Sequence, residues 1–227
     1  MGSLSEYAEV LGPATRAAWP TVAQTVPAGT VLMGGTALAM HLRHRRSDDL
    51  DLFTPHVFDP DPLHAALGAR GEFRLTRKSQ GHLHGTFDGV KIDILRGAGA
   101  ATLRRPTPIA GLPVGSLQDI MASKFRAISS RHLLRDYFDV MSLEQIAGIT
   151  VEEGFVLYLQ KYGLSVNHGS VHALVRGFGY FDDVLDDPVL GGMVGEDVRD
   201  RVVGFFTARH PAIVRSVVQG PEFPDLM

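Results

Sequence analysis

The sequence predicts an α/β fold in which a mixed sheet carrying helices is followed by an all-helical C-terminal domain. Three observations support this prediction. Short runs of strand length dominate residues 31–95, the segment "RRPTPIAGLPVGS" is too rich in proline and glycine for a helix, and apolar residues recur at helical spacing from Ser116 onward. We place the domain boundary loosely in the proline-rich segment, so the predicted domains cover residues 1–105 and 106–227.

The first part of the chain alternates helices with strands. A helix over 15–26, interrupted or kinked at Pro20, precedes a buried strand over 31–33. A diglycine turn then leads into a helix over 36–43 and a second strand over 50–53. This order predicts a strand–turn–helix–strand unit.

The rest of the sheet follows a short helix near residues 63–69. The runs "EFRLTRKS", "HLHGTFDG" and "VKIDIL" have the length and alternation of strands, and Asp88-Gly89 predicts a hairpin turn. The proline-rich segment then forms either a turn-rich hairpin or a linker. Beyond it we expect one helical stretch over 116–148 and further helices near 151–162 and 198–218.

Composition limits the possible classes of function. The 227 residues, 44% of them hydrophobic, are enough to bury the core of one or two domains. Cysteine is absent, which excludes disulfide scaffolds, thiolate metal sites and cysteine nucleophiles. The opening residues lack a signal-peptide pattern, and no stretch approaches the roughly 20 apolar residues of a membrane span. We therefore expect a cytoplasmic protein without membrane association.

The net charge of −3 conceals an asymmetry along the chain. Residues 1–135 hold 16 Lys and Arg against 11 Asp and Glu, whereas residues 136–227 hold 6 against 14. The basic first part is suited to attract a polyanion, and the acidic remainder is suited to face solvent or a basic partner.

The diglycine turn is a candidate anion site. Gly34 and Gly35 end a strand and Thr36 begins a helix. Backbone N–H groups and the positive end of the helix therefore converge where a phosphate could approach. A plain tight turn is the alternative.

Two aspartates follow on the next predicted strand. Asp49 and Asp51 alternate with Leu50 and Leu52, so both carboxylates lie on one face. Two negative charges this close favour a cation between them, and oxygen ligands suit Mg²⁺ or Mn²⁺. The alternative is a solvated strand edge with Asp48 as a third surface acid.

Asp93 repeats this arrangement in "VKIDIL", where Ile92 and Ile94 face the other way. If its strand neighbours that of Asp49 and Asp51, three carboxylates would surround two metal ions, as in phosphoryl transfer. Asp93 is then a third metal ligand or the general base. An ion pair with Lys91 or Arg96 is the alternative.

The segment "GGTALAMHLRHRRSDDLDLF" resembles the signature of the AbiEii/AbiGii toxin nucleotidyltransferases, within the DNA polymerase β-like superfamily. That signature is a Gly-Gly or Gly-Ser turn, a short helix and then D-x-D on the next strand. The family's later "K…R…RDxxD" stretch is matched by "KFRAISSRHLLRDYFDV". The resemblance covers about residues 30–142; the helices beyond it match only in being helical.

The resemblance implies a nucleotidyltransferase core followed by a helical domain, with the active site in the cleft between them. It implies that Gly34, Gly35 and Thr36 hold the triphosphate of an NTP. Asp49 and Asp51 would bind Mg²⁺ or Mn²⁺, and the following residues match the remaining positions: Asp93 the third acidic position, and His44, Arg45 and Ser47 the pattern before the D-x-D, with Ser47 on the nucleotide-binding side.

In the helical domain, the resemblance implies that Lys124 reaches the triphosphate. Asp136 falls on the acid of the motif, which would hold Lys124 or Arg135 in place, and Asp139 is the last position of the motif. On an unbroken helix, Lys124, Arg131 and Arg135 would lie within about 20° of one another, as one cationic stripe. The stripe could meet phosphates or form a solvated face, and a break at Ser129-Ser130 would disturb it.

Other candidates are weaker. His82 and His84 share a strand face and could pair on a metal, but two histidines without a third ligand more often belong to the surface or to packing. The basic run 43–46 could contact a nucleic acid backbone or neutralise the neighbouring aspartates. Residues 182–187 lack the spacing of a calcium loop, and no P-loop motif is present.

By resemblance, the function is Mg²⁺-dependent transfer of a nucleoside monophosphate from an NTP to an acceptor hydroxyl, with release of pyrophosphate. The protein would be the toxin of a toxin–antitoxin or abortive-infection system, acting on RNA such as tRNA and having a cognate antitoxin as a candidate partner. The alternatives are a small-molecule or protein acceptor, and a non-catalytic nucleotide- or RNA-binding module.

Overall fold

The computed structural model describes residues 3–97 and 102–219, which form two compact units that meet in sequence between Ser116 and Leu117. In the described part of the first unit, seven strands form one mixed sheet in the order β3-β4-β5-β2-β1-β7-β6. These strands are β1 (Val31–Met33), β2 (Leu50–Thr54), β3 (Phe73–Ser79), β4 (His82–Phe87), β5 (Val90–Arg96), β6 (Thr107–Ile109) and β7 (Leu112–Val114).

The strand directions explain why the site residues align. β2 runs antiparallel to β1 and parallel to β5, and β5 and β4 are antiparallel, as are β4 and β3. Alternate residues of β2, β4 and β5 are buried, while their neighbours are half-buried or exposed. One face of the sheet is therefore core, and the other is available to carry polar side chains.

Three α-helices accompany this sheet: α1 (Pro13–Thr25), α2 (Gly34–Leu42) and α3 (Pro60–Gly68). α1 begins with Pro13, a residue favoured at the first helical position, and it continues through Pro20. Trp19 of α1 and Leu67 of α3 are fully buried, as are the inward side chains of β2. The apolar core therefore lies beneath the strands that carry the aspartates.

The predicted hairpin at Asp88-Gly89 is present between β4 and β5, and both residues have positive φ angles, 47° and 81°. The proline-rich segment is a hairpin rather than a linker: β6 and β7 pair with each other, and β7 runs parallel to β1. These two strands follow the predicted boundary after residue 105, yet they extend the sheet of the first unit.

The second unit is helical in its described part. Its helices are α4 (Leu117–Ser130), α5 (Leu134–Ala147), α6 (Val151–Tyr162), α7 (Gly169–Gly177), α8 (Pro188–Val194) and α9 (Val198–Gln219). Aromatic side chains fill its centre, where Phe178 stacks on Phe206 at a centroid distance of 4.9 Å and Tyr137 meets Phe206 edge to face. The predicted fold class, a mixed sheet with helices followed by C-terminal helices, is confirmed. No helix of the described residues is both long enough and apolar enough to cross a membrane.

Candidate active site

The glycine turn after β1 receives the carboxylate of Asp51. Gly34 has a φ of +72°, and a Cβ built on it would overlap Asp51 Oδ2. A Cβ on Gly35 would lie 2.5 Å from a guanidinium nitrogen of Arg45 and 3.1 Å from Ser47 Oγ. Because only glycine leaves this space, the turn lets an acid, a cation and a hydroxyl approach the start of α2.

Thr36 ties the turn to the approach of β2. Its side chain is fully buried, its hydroxyl hydrogen-bonds to the carbonyl oxygen of Asp49, and it lies 3.0 Å from Ser47 Oγ. The side chains of Thr36 and Ser47 therefore contact each other and the start of the D-x-D segment. Their predicted contacts with a nucleotide stay predictions.

Asp51 and Asp93 face each other across neighbouring strands. They are register partners in the parallel pair β2–β5, which places both side chains on the same face of the sheet, one strand spacing of about 4.8 Å apart. Asp49 lies two residues before Asp51 on that face, with its Oδ2 3.5 Å from Lys91 Nζ. The structure thus brings the three predicted carboxylates to one region.

The partner of Asp93 differs from both predicted cations. His82 Nε2 lies 2.8 Å from Asp93 Oδ1, and His84, the register partner of Asp93, places Nδ1 3.7 Å from the same oxygen. Lys91 pairs with Asp49 instead. His82 and His84, which the sequence offered as two histidines without a third ligand, therefore lie beside a carboxylate. Alternation along β4 alone could not reveal this, because Asp93 is on a different strand.

Asp48 is separated from this group by its own contacts. Its carboxylate accepts hydrogen bonds from the backbone N–H of Gly12 and the hydroxyl of Thr15, and it pairs with Arg46. It therefore anchors the start of α1. This arrangement agrees with strand alternation, which selected Asp49 with Asp51.

The donor set of Asp49, Asp51 and Asp93 fits a hard divalent cation, because it offers carboxylate oxygens beside a turn that only glycine can form. Both contacts of Asp93 described above use Oδ1. No group of three or more Asp, Glu or His side chains within residues 3–97 and 102–219 is placed so that it could hold a metal ion. Proteins commonly hold Mg²⁺ with one or two carboxylates together with substrate phosphates, so an ion at Asp51 and Asp93 would need the substrate to supply its remaining ligands.

A second polar cluster lies in the helical unit. Lys124 Nζ lies 2.9 Å from Asp136 Oδ1 and 2.5 Å from Asp139 Oδ2, and both aspartate side chains are fully buried. Arg131 Nε lies 3.0 Å from Asp136 Oδ2. The motif acid therefore holds Lys124, as the resemblance implies, and its second cation is Arg131 rather than Arg135.

The electrostatics of this cluster favour ionised aspartate. Burial by itself would raise the pKa of Asp136, but the charges of Lys124 and Arg131, with their hydrogen bonds, outweigh it and hold the pKa below its ordinary value. Burial raises the pKa of neighbouring Tyr137, which therefore stays neutral. Lys124, Asp136 and Asp139 are thus buried and paired within the unit, whereas the side chain of Arg131 is 53% exposed.

The cationic stripe, expected only on an unbroken helix, does not form. α4 ends at Ser130 and α5 begins at Leu134, so Lys124 and Arg135 lie on different helices. The hydroxyl of Ser130 turns back to the carbonyl oxygen of Arg126, and Leu133 is extended and bridges to Leu185. Lys124 is buried against Asp136 and Asp139, whereas Arg135 Nη1 lies 3.8 Å from Asp187 Oδ2.

Sequence reasoning missed another buried ion pair. Lys161 Nζ lies 2.5 Å from Asp119 Oδ1, and the side chains are 8% and 1% exposed. Asp119 precedes Lys124 by five residues on α4, whereas Lys161 is on α6. Only the packing of the two helices reveals this pair, because 42 positions separate its members.

Sequence comparison defines the class of protein, a nucleotidyltransferase. A profile described as "Nucleotidyl transferase AbiEii toxin, Type IV TA system" matches residues 71–211, which is more than half of the chain. The chain belongs to this AbiEii nucleotidyltransferase toxin family. The matched range contains Asp93, Lys124 and Asp136, but it begins after Gly34 and Asp51. The assignment of Asp51 to the site is therefore supported by the geometry and by the local sequence motif, and not by this match.

The chain is also similar to one further sequence and to one solved structure. An uncharacterized protein of Aquifex aeolicus is 27% identical over 160 residues, covering 69% of this chain and 75% of the relative. The solved structure of MenT4, a nucleotidyltransferase toxin of Mycobacterium tuberculosis, matches with a TM-score of 0.56 at 17% identity, covering 96% of this chain and 92% of that chain. At that identity the structural match supports the fold.

Proposed function

We propose that this nucleotidyltransferase moves a nucleoside monophosphate from an NTP to a hydroxyl of an RNA acceptor, such as tRNA, with Mg²⁺ or Mn²⁺ as cofactor. The proposal includes action as a toxin in the cytoplasm, with a cognate antitoxin as partner. The observation that carries it is the alignment of Asp51 with Asp93 beside the Gly34 turn. A binding-only protein has little physical reason to keep carboxylates that repel an anionic ligand.

The transfer step balances without a redox partner. The acceptor oxygen forms a bond to the α-phosphorus of the NTP, the bond from that phosphorus to the bridging oxygen breaks, and pyrophosphate leaves. The hydroxyl proton passes to a carboxylate, for which Asp93 is the candidate. The chain's own contribution is to position the two reactants and to oppose their negative charge.

In this proposal Asp49 and Asp51 hold the divalent cation, and Asp93 is either its third ligand or the base that takes the hydroxyl proton. When bound, it neutralises charge that builds up on the phosphate oxygens during transfer. Gly34 and Gly35 let the triphosphate approach the positive end of α2. The family resemblance gives Lys124 a role toward the triphosphate, and the proposal keeps that role; within the helical unit, Asp136 and Asp139 hold its ammonium group.

The test is incubation of the protein and its Asp51→Asn variant with each α-labelled NTP, Mg²⁺ and total RNA, with products resolved by size. Asp51→Asn keeps the shape of the side chain and removes the charge. We expect label in RNA for the wild type and a rate lowered by about 10²–10³ for the variant, the range seen when one electrostatic contact to a transition state is lost. Asp182→Asn is the matched control, because Asp182 is exposed and lies in the helical unit.

Each other outcome has a defined meaning. Label in a protein band or in a small product would move the acceptor to those classes. No transfer to any acceptor by folded wild-type protein, with either Mg²⁺ or Mn²⁺, would refute the proposed reaction. Equal activity of Asp51→Asn and wild type would remove Asp51 from the site.

A further inference from the structure

A row of side chains crosses four strands of the sheet and leads away from the carboxylates. Asp51 is the register partner of Asp93, Asp93 of His84, and His84 of Arg77 on the edge strand β3. Cross-strand partners share one face of a sheet, so the row runs from Asp51 to Arg77 over three strand spacings, about 14 Å.

Arg77 belongs to this row because β3 contains a bulge. Leu75 pairs with Gly85, and the next pair is Arg77 with His84, so Thr76 has no register partner. Without the extra residue, Thr76 would face His84 and Arg77 would point to the opposite side of the sheet. The irregularity therefore turns a guanidinium onto the face that holds the carboxylates.

The bulge in β3 places the next residue, Lys78, on the opposite face of the sheet. Lys78 pairs with Leu83, whose side chain is buried in the core face, and its ammonium group forms an ion pair with Asp61 of α3. Arg77, by contrast, is exposed, and no hydrogen bond or ion pair joins it to another described residue. Its charge is available to a ligand.

Three more nitrogen-bearing side chains accompany Arg77 on this face. His82 pairs with Ser79, His84 with Arg77, and Arg74 with Thr86, so all of them share the face of Asp93. We call this set the basic face; its members are Arg74, Arg77, His82 and His84. Neither β3 nor β4 contains an acidic residue, but two members of the basic face have acidic partners: Arg74 pairs with Glu72, directly before β3, and His82 pairs with Asp93.

The order of the strands places the basic face and the glycine turn on opposite sides of the carboxylates. The glycine turn follows β1, on one side of the β2–β5 pair, and the basic face lies on β4 and β3, on the other side. In the proposed transfer the attacking and leaving oxygens stand roughly in line on opposite sides of the phosphorus. If the triphosphate occupies the glycine turn, an acceptor attacking in line from the opposite side would approach over β4 and β3.

We propose that the basic face binds the phosphodiester backbone of a single-stranded RNA acceptor and directs its reacting hydroxyl toward Asp93. This inference rests on the proposed function, and it adds the surface that the acceptor uses. Arginine and imidazole N–H groups donate to phosphate oxygens and fix the position of a strand with little dependence on its sequence. Because β3 is the edge strand, the RNA can continue past it beyond the sheet.

The experiment measures binding of a fluorescent single-stranded RNA of about twelve nucleotides, within the usual range of single-strand sites. Anisotropy titrations with EDTA and without NTP compare wild type, Arg77→Gln and Lys78→Gln between roughly 50 and 200 mM salt. The two variants remove one positive charge each, from adjacent positions of one strand and from opposite faces.

We expect Arg77→Gln to weaken RNA binding roughly fivefold and Lys78→Gln to change it less than about twofold. The slope of log affinity against log salt should fall by about 0.7 for Arg77→Gln, the value for one single-strand phosphate contact. A second titration uses Mn²⁺ with a non-hydrolysable NTP analogue. Arg77→Gln should bind that analogue as the wild type does.

Several results would overturn the inference. Equal weakening in both variants would mean that the charges act non-specifically or only protect the sheet edge from pairing. Loss of analogue binding with RNA binding unchanged would assign the phosphates to the nucleotide. No RNA binding by the wild type would remove the acceptor strand from this face. Because the RNA titration contains no NTP and no metal, a failure of nucleotidyl transfer overturns the proposed function without changing its result.

Discussion

The two polar clusters of this protein differ in how their charges are compensated. In the sheet unit, Asp49 is half exposed, and Asp93 on β5 contacts His82 Nε2 through one carboxylate oxygen. In the helical unit, Lys124 is 7% exposed and lies between two fully buried aspartates. In the first cluster, partly exposed carboxylates can bind a cation from solvent. In the second cluster, the charges of Lys124, Asp136 and Asp139 compensate one another. Similar residues can thus have different roles, and burial separates them.

The largest expected effect on stability comes from breaking the buried cluster. Lys124→Met should lower the free energy of unfolding by about 3–5 kcal/mol, because two buried carboxylates lose their common cation. Lys161→Met is the matched variant, since Lys161 also pairs with a buried aspartate in the same unit. We expect a loss of stability in the same range, measured by urea unfolding.

Activity then separates the two lysines. At a temperature where both variants are folded by circular dichroism, Lys124→Met should lose nucleotidyl transfer and Lys161→Met should retain it. If both variants lose transfer equally while folded, Lys124 acts through structure alone. If neither variant loses stability, the helical-unit cluster does not depend on its internal ion pairs, and the contrast with the sheet-unit cluster is wrong.

The next effect concerns the glycine turn. Gly34→Ala should lower stability by about 1–2 kcal/mol through its left-handed backbone alone, and the added Cβ must also displace the Asp51 carboxylate. Gly89→Ala is the control, because Gly89 has a φ of +81° and open space where a Cβ would lie. Both variants should lose stability in thermal unfolding, but only Gly34→Ala should lose transfer. Equal transfer rates would show that Asp51 does not need its present position.

The smallest effect is the pH dependence of the stability that the helical-unit cluster provides. The pKa of Asp136 is depressed in the folded protein, so its contribution to stability is present above the unfolded pKa, about 3.9, and is lost as the pH falls through the folded value. The difference in unfolding free energy between wild type and Asp136→Asn should therefore shrink as the pH is lowered from 6 to 3. Urea unfolding across that range measures it. A difference that grows on acidification would contradict the sign of this pKa shift.

Local sequence patterns predicted on which face of the sheet the aspartates lie. Alternation placed Asp49 and Asp51 on one face, and a strand pattern around Asp93 placed Ile92 and Ile94 on the other; the structure shows both arrangements. Period-two alternation is a local property of a strand, so it can be read without knowing which strands pair. The pairing of β2 with β5 was only a condition in that prediction, because strand order depends on the whole sheet.

The helical unit was less accessible to the same reasoning. A continuous apolar pattern predicted one helix through residues 129–133, where the chain breaks between α4 and α5. The extended conformation of Leu133 depends on its bridge to Leu185, more than fifty positions away. Helical periodicity reports which residues could share a face, and it does not reveal a contact that stops the helix.

The sequence by itself therefore determined the fold class, the glycine turn and the carboxylates that alternate with apolar residues, because these depend on neighbours within a few positions. Only the tertiary structure decided which charges are compensated. It paired Lys124 with Asp136 and Asp139, His82 with Asp93 and Lys161 with Asp119, and the bulge placed Arg77 on the face of the sheet that holds the carboxylates. Such partners are selected by the packing of distant segments, since an ion pair or a strand register requires proximity in space rather than along the chain.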